Sequence, residues 1–170
     1  ETKVVRMDIR KSGEHIAYIM GAGDNVPESL EQIGYQVHVV DPNDIQHGDL
    51  DKYDAVVVGI RAYNVVDALK FKQPVLFDYV KNGGTMIVQY NTAGRWAGQF
   101  ENIAPYEVTL SRDRVTDENA EVKILAPNNS LVNFPNTITE KDFDGWVQER
   151  GIILSKPVEL GIYTYPLHAR

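Results

Sequence analysis

The chain has 170 residues, enough for one domain with a sizeable core, and its apolar and charged fractions are those of an ordinary globular protein. Its 17 basic and 24 acidic residues leave a formal charge of −7 with the Lys and Arg scattered, which argues against nucleic acid or an anionic membrane surface as partner. Without cysteine there are no disulfides, thiolate metal sites or thiol nucleophiles, and no apolar run approaches transmembrane length, so membrane insertion is not expected.

Residues 1–14, "ETKVVRMDIRKSGE", form a polar opening that reads as a linker or edge segment. With neither an initiator Met nor the apolar core of a signal peptide, the chain reads as a piece of a longer protein or a mature chain after processing. "HIAYIMGAGD" then predicts a strand over 16–21 running into a glycine turn. In "DNVPESLEQIG", Asp24 or Asn25 can cap a helix, Pro27 suits its first turn, Leu30 and Ile33 share a face, and Gly34 can end it. "YQVHVV" predicts a strand over 35–40, followed by the acidic connection "DPNDIQHGDLDKYD". "AVVVGI", 55–60, is almost wholly apolar, as a strand covered on both faces must be.

After "RAYN" and a helical turn, Pro74 can open a helix over "PVLFDYVKNGG", with Val75, Leu76, Tyr79 and Val80 on one face and Gly83 as its stop. "TMIVQY", 85–90, is the fourth strand. Strands alternating with short helical crossovers predict a doubly wound α/β sheet, mostly parallel, with ligands held beyond the carboxyl ends of its strands. In the second half, 106–111 and 120–126 around "RDRVTDEN" predict a β-hairpin or two edge strands. "PNNSLVNFPNTIT" should be mostly loop, and Thr139 can cap a short helix in "TEKDFDGWV".

The residues just past the predicted strand ends are the candidate ligand-binding set: Asp24 after the first strand, Arg61, Tyr63 and Asn64 after the third, Asn91, Arg95 and Trp96 after the fourth. Parallel strands bring these ends to one edge. Arg offers a planar fork for carboxylate or phosphate and Trp a stacking face for a sugar ring. The same residues also serve as ordinary turn formers and surface ion-pair partners. "GAGD" lacks the spacing of a dinucleotide loop and the GK[ST] ending of a phosphate loop, and Asp24 at its mouth would repel phosphate. No HExxH, paired-histidine helix or GxSxG elbow is present, so no catalytic residue and no metal is assigned, and no cofactor is expected. The cluster His47, Asp49, Asp51 and Asp54 lacks the glycine and distal glutamate of a calcium loop and reads as a solvated turn.

The stretches "IAYIMGAGD", "PESLEQIGYQVHVVD", "YDAVVVGIRAYN", "LFDYVKNGGTMIVQYNTAG", "LAPNNSLVNFP" and "DFDGWVQERG" resemble the class I glutamine-amidotransferase-like superfamily on its ThuA-like side. They look closest to the accessory domain of large bacterial LmbE-like (PIG-L type) N-acetylglucosaminyl deacetylases. The resemblance covers 15–151, with "GIRAYN" and "DFDGWVQERG" its most specific parts, and leaves 152–170 as a divergent tail. It implies a flavodoxin-like three-layer sandwich and a ligand site on the strand-end crest. Where true amidotransferases carry a Cys nucleophile, this chain has Tyr90, Asn91 and Thr92, so glutamine should release no ammonia by that route. The His and Glu that complete such a triad have no evident counterpart, and the deacetylase's HPDD-like zinc motif is absent.

The resemblance implies a non-catalytic domain binding a small polar or saccharide ligand, beside a neighbouring catalytic domain of the parent protein. A parent of that kind would be periplasmic or secreted. Two other readings stand beside it: a cysteine-independent enzyme acting on sugars, with Asp24, Asp144 or Glu149 as acid or base, and a structural packing or oligomerisation module.

Overall fold

The computed structural model describes residues 8–92, 103–104, 109–114, 117, 119–145 and 152–155, the segments 109–114 and 152–155 by their backbone alone. The regular elements are β1 (His15–Ile19), α1 (Val26–Gln32), β2 (Gln36–Val39), β3 (Ala55–Val58), α2 (Ala62–Val65), α3 (Leu69–Lys81), β4 (Thr85–Val88), β5 (Thr109–Arg114) and β6 (Ile152–Ser155). The first four strands form one sheet in the order β2-β1-β3-β4 with every pairing parallel. Ile16 lies between Val37 and Ala55, and Val57 lies between Tyr18 and Ile87.

This is an α/β fold with a flavodoxin-like strand order, and side-chain alternation along each strand builds a core on both faces of the sheet. On one face Ala17, Ile19, Val56 and Val58 pack with Leu69, Val75, Leu76 and Tyr79 of α3. On the other, Ile16, Tyr18 and Val57 pack with Val26 and Leu30 of α1. The central strands β1 and β3 are buried from Ile16 to Ile19 and from Val56 to Val58, as their apolar runs require. On β2 Gln36, His38 and Val39 are exposed, as an edge strand permits.

Four sequence expectations are corrected. Ile33 does not share the buried face with Leu30; it is the C-cap of α1 and is exposed, because the helix stops at Gln32. Pro74 does not open α3 but lies inside it, five residues after Leu69. Leu69 is fully buried, and its burial, worth about 1.5–3 kcal/mol, draws the preceding turn into the helix against a proline cost of similar size. At the far end the helix closes in a Schellman motif, the N–H groups of Gly83 and Gly84 donating to the carbonyls of Val80 and Tyr79.

The predicted hairpin is the third correction: β5 pairs antiparallel with β6 from the tail, through "RDR", while 120–126 forms no strand. The Asp117 carboxylate accepts from the Asn119 N–H, and its carbonyl accepts from the Ala120 N–H. Fourth, β1, β3 and β4 each stop two residues before the predicted ends at 21, 60 and 90. The helix predicted in "TEKDFDGWV" is a 3-10 turn, Glu140–Phe143, and the Asp142 carboxylate accepts from both the N–H and the hydroxyl of Thr139.

The opening segment is tied down at two places. Asn136 pairs through its side chain with both the N–H and the carbonyl of Arg10, at 2.9 and 2.7 Å. The Asp54 carboxylate accepts from the N–H groups of Glu14 and His15, at 2.7 and 2.8 Å, and these bonds hold its pKa below the usual aspartate range. A depressed folded-state pKa gives stability that is present above the unfolded-state pKa and lost as pH falls through the folded one. The expected result is that Asp54→Ala melts below the wild type at pH 7. The gap between their melting temperatures should close as pH falls through the aspartate range; a gap that persists unchanged at pH 3 would count against the carboxylate as its source.

Candidate functional site on the strand-end crest

The chain leaves β1 for β2 on one side and reaches β3 and β4 on the other, so the order β2-β1-β3-β4 places its topological switch point between β1 and β3. There the crevice is closed at its base. Gly21 lies so near the Ile60 carbonyl that a Cβ on it would overlap that oxygen, and the Ala22 N–H donates to the same carbonyl at 2.8 Å. Gly59 matches it from the other side, its N–H donating to the Ile19 carbonyl at 2.8 Å. Each glycine is required by close backbone approach.

Asp24 sits just above this contact and its carboxylate is committed to the scaffold. It accepts from the Tyr18 hydroxyl at 2.7 Å, the Val26 N–H at 3.0 Å and, at a long 3.4 Å, the Ile60 N–H. The Tyr18 hydroxyl in turn accepts from Gln89 Nε2 at 2.9 Å. The phenol thereby joins the ends of β1 and β4, and Asp24 carries the link on to Ile60 after β3. Burial pushes the Tyr18 pKa well above that of a free phenol, and the adjacent Asp24 carboxylate adds to the shift.

Between β3 and β4 the crest is built differently. Arg61 is the N-cap of α2 with φ 55° and ψ 20°, and among the described residues it is the one non-glycine with positive φ. Its N–H donates to the Tyr90 carbonyl at 2.7 Å, and its own carbonyl accepts from the N–H groups of Asn64 and Val65. The Arg61 side chain is exposed, and no ion pair or hydrogen bond reaches its guanidinium among the described residues. Asn64 clamps the outgoing chain of β4: its Oδ1 accepts from the N–H and hydroxyl of Thr92 at 2.8 and 3.1 Å, and its Nδ2 donates to the Thr92 carbonyl at 3.1 Å.

Comparison with family models, with curated proteins and with solved structures gives no match.

Of the seven residues assigned to the crest from sequence, Arg95 and Trp96 lie outside the described residues, as does Glu149. The other five reach the same edge, but not as one open set. Tyr63 is 1 % exposed and belongs to the core, which corrects its assignment to the rim: the second residue of α2 faces inward, and burial raises its pKa to about 12. Asn91 is 4 % exposed and lies beneath the crest, its Nδ2 donating to the Gln89 carbonyl while its Oδ1 finds no partner among the described residues. Asp24 and Asn64 shape the scaffold, which leaves Arg61 as the exposed cation. Asp144 is exposed and follows the 3-10 turn, and among the described residues no hydrogen bond or ion pair links it to the crest.

Sequence reasoning missed Tyr18, Gln89 and Tyr90. Gln89 and Tyr90 fall inside the fourth strand that the sequence predicts; because β4 ends at Val88, they belong to the crest, and Tyr90 is exposed. Its carbonyl accepts from the Arg61 N–H, which ties the end of β4 to the start of α2. The signal available was the run "QY" at the boundary of an apolar strand, where a polar and an amphipathic residue together mark an end better than a continuation.

Proposed function

We propose that this domain is a non-catalytic binding module whose crest between β3 and β4 holds a small polar ligand, a saccharide bearing a carboxylate being the chemistry that suits it best. The observation that carries the reading is Arg61: a bulky residue kept in the left-handed region, at a cost of about 1–2 kcal/mol, with its guanidinium left in solvent. The fork supplies paired donors for a carboxylate, and Tyr90 supplies a flat amphipathic face for a ring. A catalytic reading has less support. The Asp24 carboxylate already accepts hydrogen bonds from Tyr18 and Val26, and the Thr92 hydroxyl donates to an amide oxygen rather than to a base. In this reading the hydrolytic chemistry of an LmbE-like parent resides in a neighbouring domain, and the present one presents or retains the glycan.

The test uses glucuronate, galacturonate, glucose and N-acetylglucosamine as probes in thermal shift and calorimetry. Arg61→Ala and Tyr90→Ala should each weaken binding of an acidic sugar about tenfold to hundredfold. Arg61→Gly should bind as poorly as Arg61→Ala yet be the more stable protein. Relief of about 1–2 kcal/mol of backbone strain outweighs about 0.5–1 kcal/mol lost to a freer unfolded chain. If no probe binds the wild type, or if binding survives both Arg61 variants, the reading fails.

A further inference from the structure

Away from the crest, His15 at the start of β1 and His38, the third residue of β2, face one another across the edge of the sheet. The register sets His15 opposite Gln36 and His38 opposite Ala17, so the two imidazoles lie diagonally on one face. His15 Nδ1 and His38 Nε2 are 3.4 Å apart, with ring centroids 5.6 Å apart and planes inclined by 38°. Tyr53 flanks His38 at 5.5 Å between centroids, and with Lys52 these residues line a cleft of about 290 Å³. No other hydrogen bond reaches either imidazole among the described residues.

We propose that His15 and His38 form a two-histidine site for a borderline divalent transition metal, zinc, nickel or copper, with solvent in the cleft completing the coordination shell. A separation of 3.4 Å is long for a direct hydrogen bond between two ring nitrogens. It is the separation of two ligands on a tetrahedral ion: metal–nitrogen distances of about 2.0–2.1 Å across a tetrahedral angle set the nitrogens about 3.3–3.4 Å apart. Neutral imidazole is the usual protein ligand for these ions. Among the described residues no third His, Cys, Asp or Glu completes the set, so affinity is moderate and exchangeable positions remain on the ion. Among the described residues Lys52 is the one charged side chain lining the cleft, and it opposes a cation. An ion held there joins the exposed edge strand β2 to the buried strand β1, so binding stabilises the sheet edge.

The experiment titrates the full chain with zinc and with nickel by calorimetry, follows the melting temperature in parallel, and repeats both with His15→Gln, His38→Gln, His47→Gln and Lys52→Gln. The expected result is one metal per chain, a melting temperature that rises with free metal, and a loss of about tenfold or more in affinity for either of the first two variants. His47→Gln should match the wild type, because His47 is paired with Asp78 at 2.9 Å elsewhere on the surface. Lys52→Gln should tighten binding by about two- to fivefold through loss of a like charge. A cleft that serves an anion instead would show the reverse: inorganic phosphate would bind and Lys52→Gln would weaken it. That outcome, or metal binding indifferent to both His15 and His38, overturns the proposal. Because His38 is exposed, its variant keeps the fold and the comparison stands even if His15→Gln is unstable.

Discussion

Gly21→Ala is expected to cost about 3–4 kcal/mol, a large part of the stability of a single domain. The added methyl would overlap the carbonyl oxygen of Ile60, and its near neighbours are backbone atoms of Ile60 and Ala62 rather than the end of a side chain that could swing aside. To make room, the loops after β1 and β3 must separate, which also breaks the Ala22 to Ile60 hydrogen bond. The control is Gly23→Ala, two residues along. Gly23 has φ 98° with open space where its Cβ would stand, so only the backbone penalty of about 1–2 kcal/mol applies. Urea denaturation should give the two midpoints well apart with a common slope. Equal losses would mean that the crevice at the switch point is wider than the Gly21–Ile60 contact implies.

Asp24→Ala is expected to cost about 2–4 kcal/mol, since it removes the acceptor of a buried phenol and of the Val26 N–H together. Tyr18→Phe should cost less, about 1 kcal/mol, because a phenyl ring leaves no orphaned hydroxyl behind. The pair also differs in its dependence on alkali. The pKa of Tyr18 is raised in the folded protein, so its contribution is fully present below the unfolded phenol value near 10 and is lost as pH rises beyond it. Tyr18→Phe should therefore lose less stability than the wild type between pH 9 and pH 11. An unchanged alkaline limb would assign that loss to the other buried tyrosines, Tyr63 and Tyr79, whose pKa values burial also raises.

The sheet was legible in the sequence because its signal is local. "AVVVGI" has too few polar residues for any half-exposed position, and "HIAYI" and "TMIV" sit at crossover distance on either side of it. The strand ends were less legible, because hydropathy does not distinguish the last paired residue of a strand from an amphipathic residue just beyond it. That is why the sequence pattern assigns Tyr90 to the sheet and Tyr63 to the rim. The start of α3 was hidden for a related reason: Pro74 is a strong local signal, and the burial of Leu69 that overrides it is a tertiary fact. The pairing of β5 with β6 spans about forty residues of intervening chain, and no local turn motif announces such a contact. The tasks of Gly21 and Asp24, close approach and hydrogen-bond acceptance, were not legible, because they depend on Ile60, Tyr18 and Gln89 arriving from elsewhere in the chain.

The grip of Asn64 on Thr92 has a kinetic side. Its amide engages the N–H and carbonyl of one residue together, as a neighbouring strand would, so the β3–β4 pairing continues past Val88 by way of a side chain. The Arg61 N–H, bonded to the Tyr90 carbonyl, belongs to the same extension. The amide protons of Arg61 and Thr92 should therefore exchange with deuterium at one shared rate, released by a single opening of that flap rather than by independent fraying. Asn64→Ala should release both at once, while the amides of Val57 and Val58, lower in the sheet, keep their native protection.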